Sequence, residues 1–398
     1  MVTSNWDSFT TKPVAPLGII AMPGCEEMGE QIDCFLRRWR DPQSGKEFSS
    51  SPANQGDSFL LRAECSRFGT GEGKARLLES VRGVDLYILS DVTAYQVEYE
   101  MRGETVPKSP DDHFADLKRV ISAAGGRARR ICVIMPFLYE GRQHRRTSRE
   151  SMDCAIMLRE LSSMGVNNII TFDAHDPRVL NAIPLTDFDS VHPTYQMLKA
   201  LLNHFKDLNI NKSSMMIVSP DEGAIGRNIY YSTVLGLDMS LFYKRRDYTK
   251  VVDGRNLIVA HEYLGDSVAD KDVIVADDII ATGESMLDLA RDLKARKANR
   301  IFLAATFAFF TNGLDAFHKA YEEGSIASVL GTNLIYLPKE IRSAPWFIEV
   351  DMSKYVSYII ATLNHDKSLH NLLNPLDRIN ALLEGYREQQ AREGIRFA

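Results

Sequence analysis

The chain has 398 residues, a formal net charge of −6, and hydrophobic and charged fractions of 44% and 25%, the balance of a globular protein long enough for two core-bearing domains. The acidic balance excludes a surface coated for nucleic acid, and five cysteines with no C-x-x-C pair exclude a zinc or disulfide framework and suit a reducing compartment. The amino terminus has no basic segment followed by an apolar one, and the longest apolar run, Ile301 to Phe310, is about half of what a bilayer helix requires, so a cytoplasmic enzyme with no membrane attachment is expected.

In chain order, Leu17 to Met22 reads as a first strand and Glu26 to Trp39 as a helix. Asp41 to Asp57 is polar, rich in Ser, Pro and Gly, and reads as a surface insertion. Strand character returns over Ser58 to Cys65 and leads into the glycine-spaced turn Arg67 to Lys74. Val84 to Leu89 is a further strand, Tyr99 to Asp112 a second polar excursion, Phe114 to Ala123 a helix and Arg130 to Met135 a strand. Behind that strand stand four arginines within eight residues, Arg142, Arg145, Arg146 and Arg149, which repel one another unless an anion or water separates them. The carboxyl end of a parallel strand is where open α/β sheets hold ligands, so the run suits polyphosphate. Met152 to Ser163 is a helix and Asn168 to Phe172 a strand ending in Asp173-Ala174-His175-Asp176, where a histidine between carboxylates suits a magnesium-linked nucleotide contact.

Near Ser190 the pattern starts again. His192 to Phe205 is a helix, and Met215 to Val218 a strand ending in Ser219-Pro220-Asp221. Met239 to Tyr243 is a strand that stops at Lys244-Arg245-Arg246, and Asp247 to Asp272 is expected to be a mobile segment. Val273 to Ala276 is a buried strand, with Asp277 and Asp278 at its end. Ala281-Thr282-Gly283-Glu284-Ser285 then opens a helix whose apolar face is Met286, Leu289, Ala290 and Leu293. Arg300 to Thr306 is a strand, Leu314 to Glu323 a helix, Asn333 to Tyr336 the final central strand and Ser353 to Leu363 an amphipathic helix. Asp377 to Ala398 reads as an exposed helix or tail.

The stretch from Val273 to Ser285 is the most informative. A loop at a helix amino terminus offers unsatisfied N–H groups and the positive end of the dipole, and so binds phosphate; Thr282 and Ser285 add hydroxyl donors. Asp277 and Asp278 would repel phosphate but suit vicinal sugar hydroxyls or a bridging divalent cation. Together they fit a 5-phosphorylated sugar. The plain alternative is a solvated acidic pair followed by helix-capping Thr and Ser. Neither a Walker loop nor a dinucleotide glycine pattern is present.

The strand, paired acids and Thr-Gly resemble the phosphoribosyl diphosphate signature of type I phosphoribosyltransferase folds. Over about Leu17 to Pro375 the chain resembles the ribose-phosphate pyrophosphokinase family, with five separated matches in the family's order. Phe68-Gly69-Thr70-Gly71-Glu72 is similar to the Phe-Ser-Asp-Gly-Glu turn that reaches a neighbouring subunit's adenine. Gly141-Arg142-Gln143-His144-Arg145 is similar to the ATP-phosphate segment Ala-Arg-Gln-Asp-Arg, and Asp173-Ala174-His175 to Asp-Leu-His. Ser219-Pro220-Asp221 matches a segment near metal and ribose. Tyr243-Lys244-Arg245-Arg246 is similar to the base of the catalytic loop.

The resemblance implies α/β architecture with two tandem type I phosphoribosyltransferase-like domains, 1–190 and 191–375, followed by an extension, 376–398. It implies transfer of the diphosphoryl group of ATP to O1 of ribose 5-phosphate, Mg2+ as cofactor, and a homo-oligomer with the adenine site at a subunit interface. Lys244 and Arg246 would be catalytic. Asp277, Asp278, Thr282, Gly283, Glu284 and Ser285 would hold ribose 5-phosphate, and Phe68, Glu72, Arg142, Gln143 and His175 would hold ATP. His175 and Asp221 would contact the metal. The chain departs from the family pattern at Ala281, Thr70 and His144, each in place of an aspartate. A phosphoribosyltransferase that consumes phosphoribosyl diphosphate, and a non-catalytic subunit of a synthetase complex, are the other two readings.

Overall fold

A computed structural model describes residues 12–40, 58–252 and 255–394, with side chains over all of these except 244–261. The chain divides into two compact units. The first runs to His192 and takes in Asn333–Tyr336 and Asp351–Asn374; the second holds Pro193–Thr332, Leu337–Val350 and the chain from Pro375 onward.

The first unit begins β1 (Leu17–Ala21), α1 (Glu26–Arg40), β2 (Ala63–Arg67), β3 (Gly73–Leu77) and β4 (Asp85–Leu89). It continues with β5 (Glu98–Met101), β6 (Glu104–Pro107), α2 (Pro110–Ala124), β7 (Arg130–Ile134), α3 (Asp153–Ser163), β8 (Asn168–Phe172) and β9 (Asp187–Val191). The central sheet runs β1-β4-β7-β8-β9 and is parallel throughout. Strands β4 and β8 are buried at every position, as their continuous apolar runs require of a sheet covered on both faces. Ile20, Ile88, Val133 and Ile169 meet Leu117, Ile121, Met157 and Leu161 in one apolar core.

Two hairpins stand outside that sheet, β2–β3 and β5–β6. The second replaces the irregular excursion expected over Tyr99 to Asp112. Its turn, Arg102-Gly103, has positive φ at both residues, 54° and 82°, which is the two-residue turn whose twist matches paired strands; the arginine hid it. Helix α2 begins earlier than its apolar period suggests, because Ser109 and Asp112 form a capping box and Pro110 fills the first turn.

The second unit contains α4 (Thr194–His204), β10 (Met215–Ser219), α5 (Ile225–Leu235), β11 (Met239–Val252), β12 (Arg255–Leu264), β13 (Asp272–Ile280) and α6 (Glu284–Ala295). Next come β14 (Ile301–Ala308), α7 (Asp315–Glu322), β15 (Ser328–Thr332), α8 (Lys339–Arg342) and β16 (Phe347–Val350). The sheet order is β12-β11-β10-β13-β14-β15-β16, parallel except for the β11–β12 hairpin. That hairpin takes up most of Asp247 to Asp272, the segment expected to be mobile, in which no strand was expected. The β-branched residues on either side of Asp253-Gly254 carried a hairpin signal, although these two lie outside the described residues, as does the insertion expected over Asp41 to Asp57.

The final central strands are β15 and β16, not Asn333 to Tyr336. β15 is buried throughout between its neighbours, whereas Tyr336 belongs to the first unit, where its N–H donates to Asp91 Oδ2 at 3.0 Å. The adjoining α9 (Ser353–Asn364) and α10 (His370–Leu373) also belong there, so a contiguous 191–375 domain is not what forms. Trp39 of α1 stacks on Tyr358 of α9 with centroids 4.4 Å apart. Asn364 Nδ2 donates to Asp85 Oδ2 at 2.9 Å, and Arg130 bridges the same carboxylate to Leu363 O. Helix α11 (Leu376–Arg392) is docked on the second unit rather than left as a tail: Tyr386 Oη accepts from Leu208 N–H and donates to Phe205 O.

Candidate functional site

In the second unit the chain goes from β10 to β11 on one side and returns to β13 on the other. This switch point leaves a crevice beyond the carboxyl ends of β10 and β13, the place where open α/β sheets bind ligands. Asn228, fully buried on α5, ties that helix to β13 by donating to Ala276 O at 2.8 Å and accepting from Ala276 N–H at 3.3 Å. Asp221 follows β10, and its Oδ1 accepts from Gly223 and Ala224 N–H. Asp277 and Asp278 lie inside β13 rather than after it; Asp277 Oδ1 accepts from Asp278 N–H at 2.9 Å and lies 3.4 Å from Arg227 Nη1.

Burial pushes the Asp277 carboxyl well above the usual carboxylate range; Asp278 and Asp221 push the same way and Arg227 opposes them. Crowded acids of this kind gain from hydroxyl donors or a cation. Beyond them, Gly283 caps α6 with φ 86°, and a Cβ there would stand 2.3 Å from the Phe317 ring. Glycine is therefore demanded twice, by backbone conformation and by space. Thr282 and Ser285 are exposed at the loop, the first-turn N–H groups of α6 lack intrahelical partners by geometry, and the Glu284 carboxylate accepts from Asn312 Nδ2 at 3.4 Å.

Lys244 and Arg246 lie on β11, past Leu241, the last residue paired with β10. Their backbones pair with His261 and Ile258 of β12, with a register shift between Arg245 and Arg246.

The first unit brings a second group together. The loop after β7 turns at Glu140, Gly141 N–H donates to Leu138 O, and Gln143 Nε2 donates to Ser151 O at 3.2 Å. Arg142 is exposed. Across the β7–β8 pair, exposed His175 lies with its ring centroid 5.4 Å from that of His144. Asp176 caps the following turn and is held down to about 2, chiefly by hydrogen bonds from Arg178.

Phe68 and Glu72 are elsewhere, at the tip of the β2–β3 hairpin. Phe68 is 56% exposed, and Glu72 accepts from Thr70 Oγ1 at 2.9 Å. The hairpin is anchored by Arg67, whose guanidinium makes a two-pronged contact at 2.6 and 2.9 Å with the buried Asp116 carboxylate of α2. Arg67, Asp116, Asn228 and Phe317 were not singled out in the sequence, because each acts through a partner distant along the chain.

Among the described residues no three His, Cys, Asp or Glu side chains converge as a metal cage. Magnesium retains several waters and takes one or two carboxylates with substrate phosphates, a demand that a carboxylate such as Asp221 meets without a three-ligand cage.

A parallel-sheet unit with a basic loop, followed by one with an acid pair and a glycine-capped helix at its switch point, defines a tandem phosphoribosyltransferase-type protein. Residues 21–165 match the N-terminal domain of ribose phosphate pyrophosphokinase and residues 192–322 the phosphoribosyl transferase domain. The ribose-phosphate pyrophosphokinase of Vibrio cholerae is 27% identical over 316 residues, covering 78% of this chain and 91% of that protein. That of Chromobacterium violaceum is 27% identical over 322 residues, covering 80% and 89%. The chain belongs to the ribose-phosphate pyrophosphokinase family. The phosphoribosylpyrophosphate synthetase structure from Mycobacterium smegmatis shares the fold, with a TM-score of 0.68 at 20% identity, covering 88% of this chain and 99% of that one. No described helix is long and apolar enough to cross a membrane.

Proposed function

We propose that the protein transfers the diphosphoryl group of ATP to O1 of ribose 5-phosphate, giving phosphoribosyl diphosphate and AMP, in the cytoplasm and as a homo-oligomer with adenine bound at a subunit interface. One conjunction carries this reading. The chain keeps both an acid pair with a glycine-capped phosphate loop and, in its other unit, a basic loop beside His175 that a protein merely consuming phosphoribosyl diphosphate would not need.

The 5-phosphate is held by the N–H groups at the start of α6 and the hydroxyls of Thr282 and Ser285. Asp277 and Asp278 accept the ribose hydroxyls and orient O1. Arg142 and Gln143 take the ATP phosphates, with Phe68 and Glu72 at the adenine. O1 attacks the β-phosphorus, the bond from that phosphorus to the α,β-bridging oxygen breaks, and AMP leaves. Such a transfer needs in-line positioning and positive charge more than covalent help, and Lys244 and Arg246 supply that charge. His175 and Asp221 would be the contacts for magnesium, whose role when bound would be to neutralise triphosphate charge.

The test is an assay of the purified protein with ribose 5-phosphate, Mg2+ and each nucleoside triphosphate in turn, with AMP and phosphoribosyl diphosphate as the expected products. The departures at Ala281, Thr70 and His144 favour a second reading, a non-catalytic subunit. No turnover alone, with co-purification of an active synthetase, would establish that instead.

A further inference from the structure

His144 and Asp176 join two loops that the strand order by itself leaves separate. His144 follows β7 and Asp176 follows β8; Nε2 of the first is 3.5 Å from Oδ2 of the second, with side chains only 12% and 11% exposed. The His144 ring also faces that of His175 at 5.4 Å, tilted by 55°. Its other nitrogen, Nδ1, is buried without a hydrogen-bond partner. A buried polar atom left unmatched costs stability, so the arrangement is poor as a purely stabilising device. It does hold the Arg142–Gln143 segment and His175 at one edge of the sheet, with a ring nitrogen that a bound group can satisfy. Asp176 is fixed in turn, since both its oxygens accept from Arg178 and its Oδ1 also accepts from Arg178 N–H.

We propose that His144 is a positioning residue for the nucleotide: its pairing with Asp176 clasps the arginine loop to the His175 edge, so that both address one polyphosphate. This rests on the nucleotide reading above and adds to it a contact peculiar to a chain with histidine at this position. Preorganised loops bind more tightly because less ordering remains to be done on binding.

The experiment is calorimetric titration of the full chain with ATP and Mg2+, and separately with ribose 5-phosphate. His144→Ala is expected to weaken ATP binding about tenfold and leave ribose 5-phosphate binding and the melting temperature essentially unchanged. His144→Gln, which returns a donor near the Nε2 position, should recover most of the loss. In an Asp176→Asn background the effect of His144→Ala should shrink. ATP affinity untouched by His144→Ala, an undiminished effect in the Asp176→Asn background, or equal loss for both ligands would each overturn the clasp. An unaltered protein that binds ATP yet forms no AMP overturns the proposed reaction and leaves the clasp standing; one that binds no nucleoside triphosphate overturns both.

Discussion

Gly283 is the residue at which fold and candidate site are least separable. Its φ of 86° lies where side-chain-bearing residues are strained, and the Phe317 ring that an added methyl would strike is fully buried and cannot swing away. Gly283→Ala is expected to cost about 2–4 kcal/mol from backbone strain and overpacking together, read by urea unfolding, and to abolish ribose 5-phosphate binding by displacing the first turn of α6. A variant that keeps both would contradict the assignment of this loop. Asp189 on β9 makes a different point about single residues. Burial, and then Asp187, push its carboxyl from 3.8 up to about 6. The native state therefore binds this proton more tightly than the unfolded chain, so stability is fullest below about pH 4, falls as pH rises towards 6, and stays lower above it. Asp189→Asn should remove that decline and stabilise the protein at pH 8 by about 1–2 kcal/mol, allowing for partial exposure. Melting curves from pH 4 to 8 that keep the wild-type slope would refute the attribution.

The β2–β3 hairpin is tied to α2 through a single carboxylate. Arg67, Lys108 and Arg119 converge on one Asp116 carboxylate at 2.6–2.9 Å, and Asp116 is 1% exposed. Burial alone would raise that carboxyl; hydrogen bonds from Arg67 and Lys108 outweigh it and hold it below its ordinary value. Asp116→Ala strands two buried cations and should cost about 3–5 kcal/mol, whereas a loss under about 1 kcal/mol in denaturant unfolding would mean the network is replaceable. Because the hairpin carries Phe68 and Glu72, this variant should also bind nucleotide less well. Element boundaries followed the same rule of distant support. The β14 run and the α6 face were legible from periodicity, since every β14 position is buried. The C-terminal helix looked exposed because only a stripe of it, Ile379, Leu383, Tyr386 and Gln390, is covered, and its anchors, Phe205 and Leu208, lie far away in sequence.

For the molecule as a whole, the assignment turns on chemistry divided between two units. If Lys244 acts on the transferred group and not on the sugar, Lys244→Ala should lower kcat about 100-fold or more while ribose 5-phosphate affinity measured by titration changes little. Equal losses in both would remove it from the catalytic role.

The sequence alone determined the local chemistry: β-branched runs, an acid pair, a glycine before an apolar helix face and an arginine-rich loop are short-range patterns whose meaning depends on neighbours within a turn or a strand. It also determined that the chain carries two α/β units. Tertiary structure decided which unit owns Asp351–Asn374, which strand fills the sheet between β14 and β16, and that His144 meets Asp176. Each of these depends on the burial of side chains against partners tens or hundreds of residues away, such as Asn364 on Asp85, and no local pattern of residues encodes such a partner.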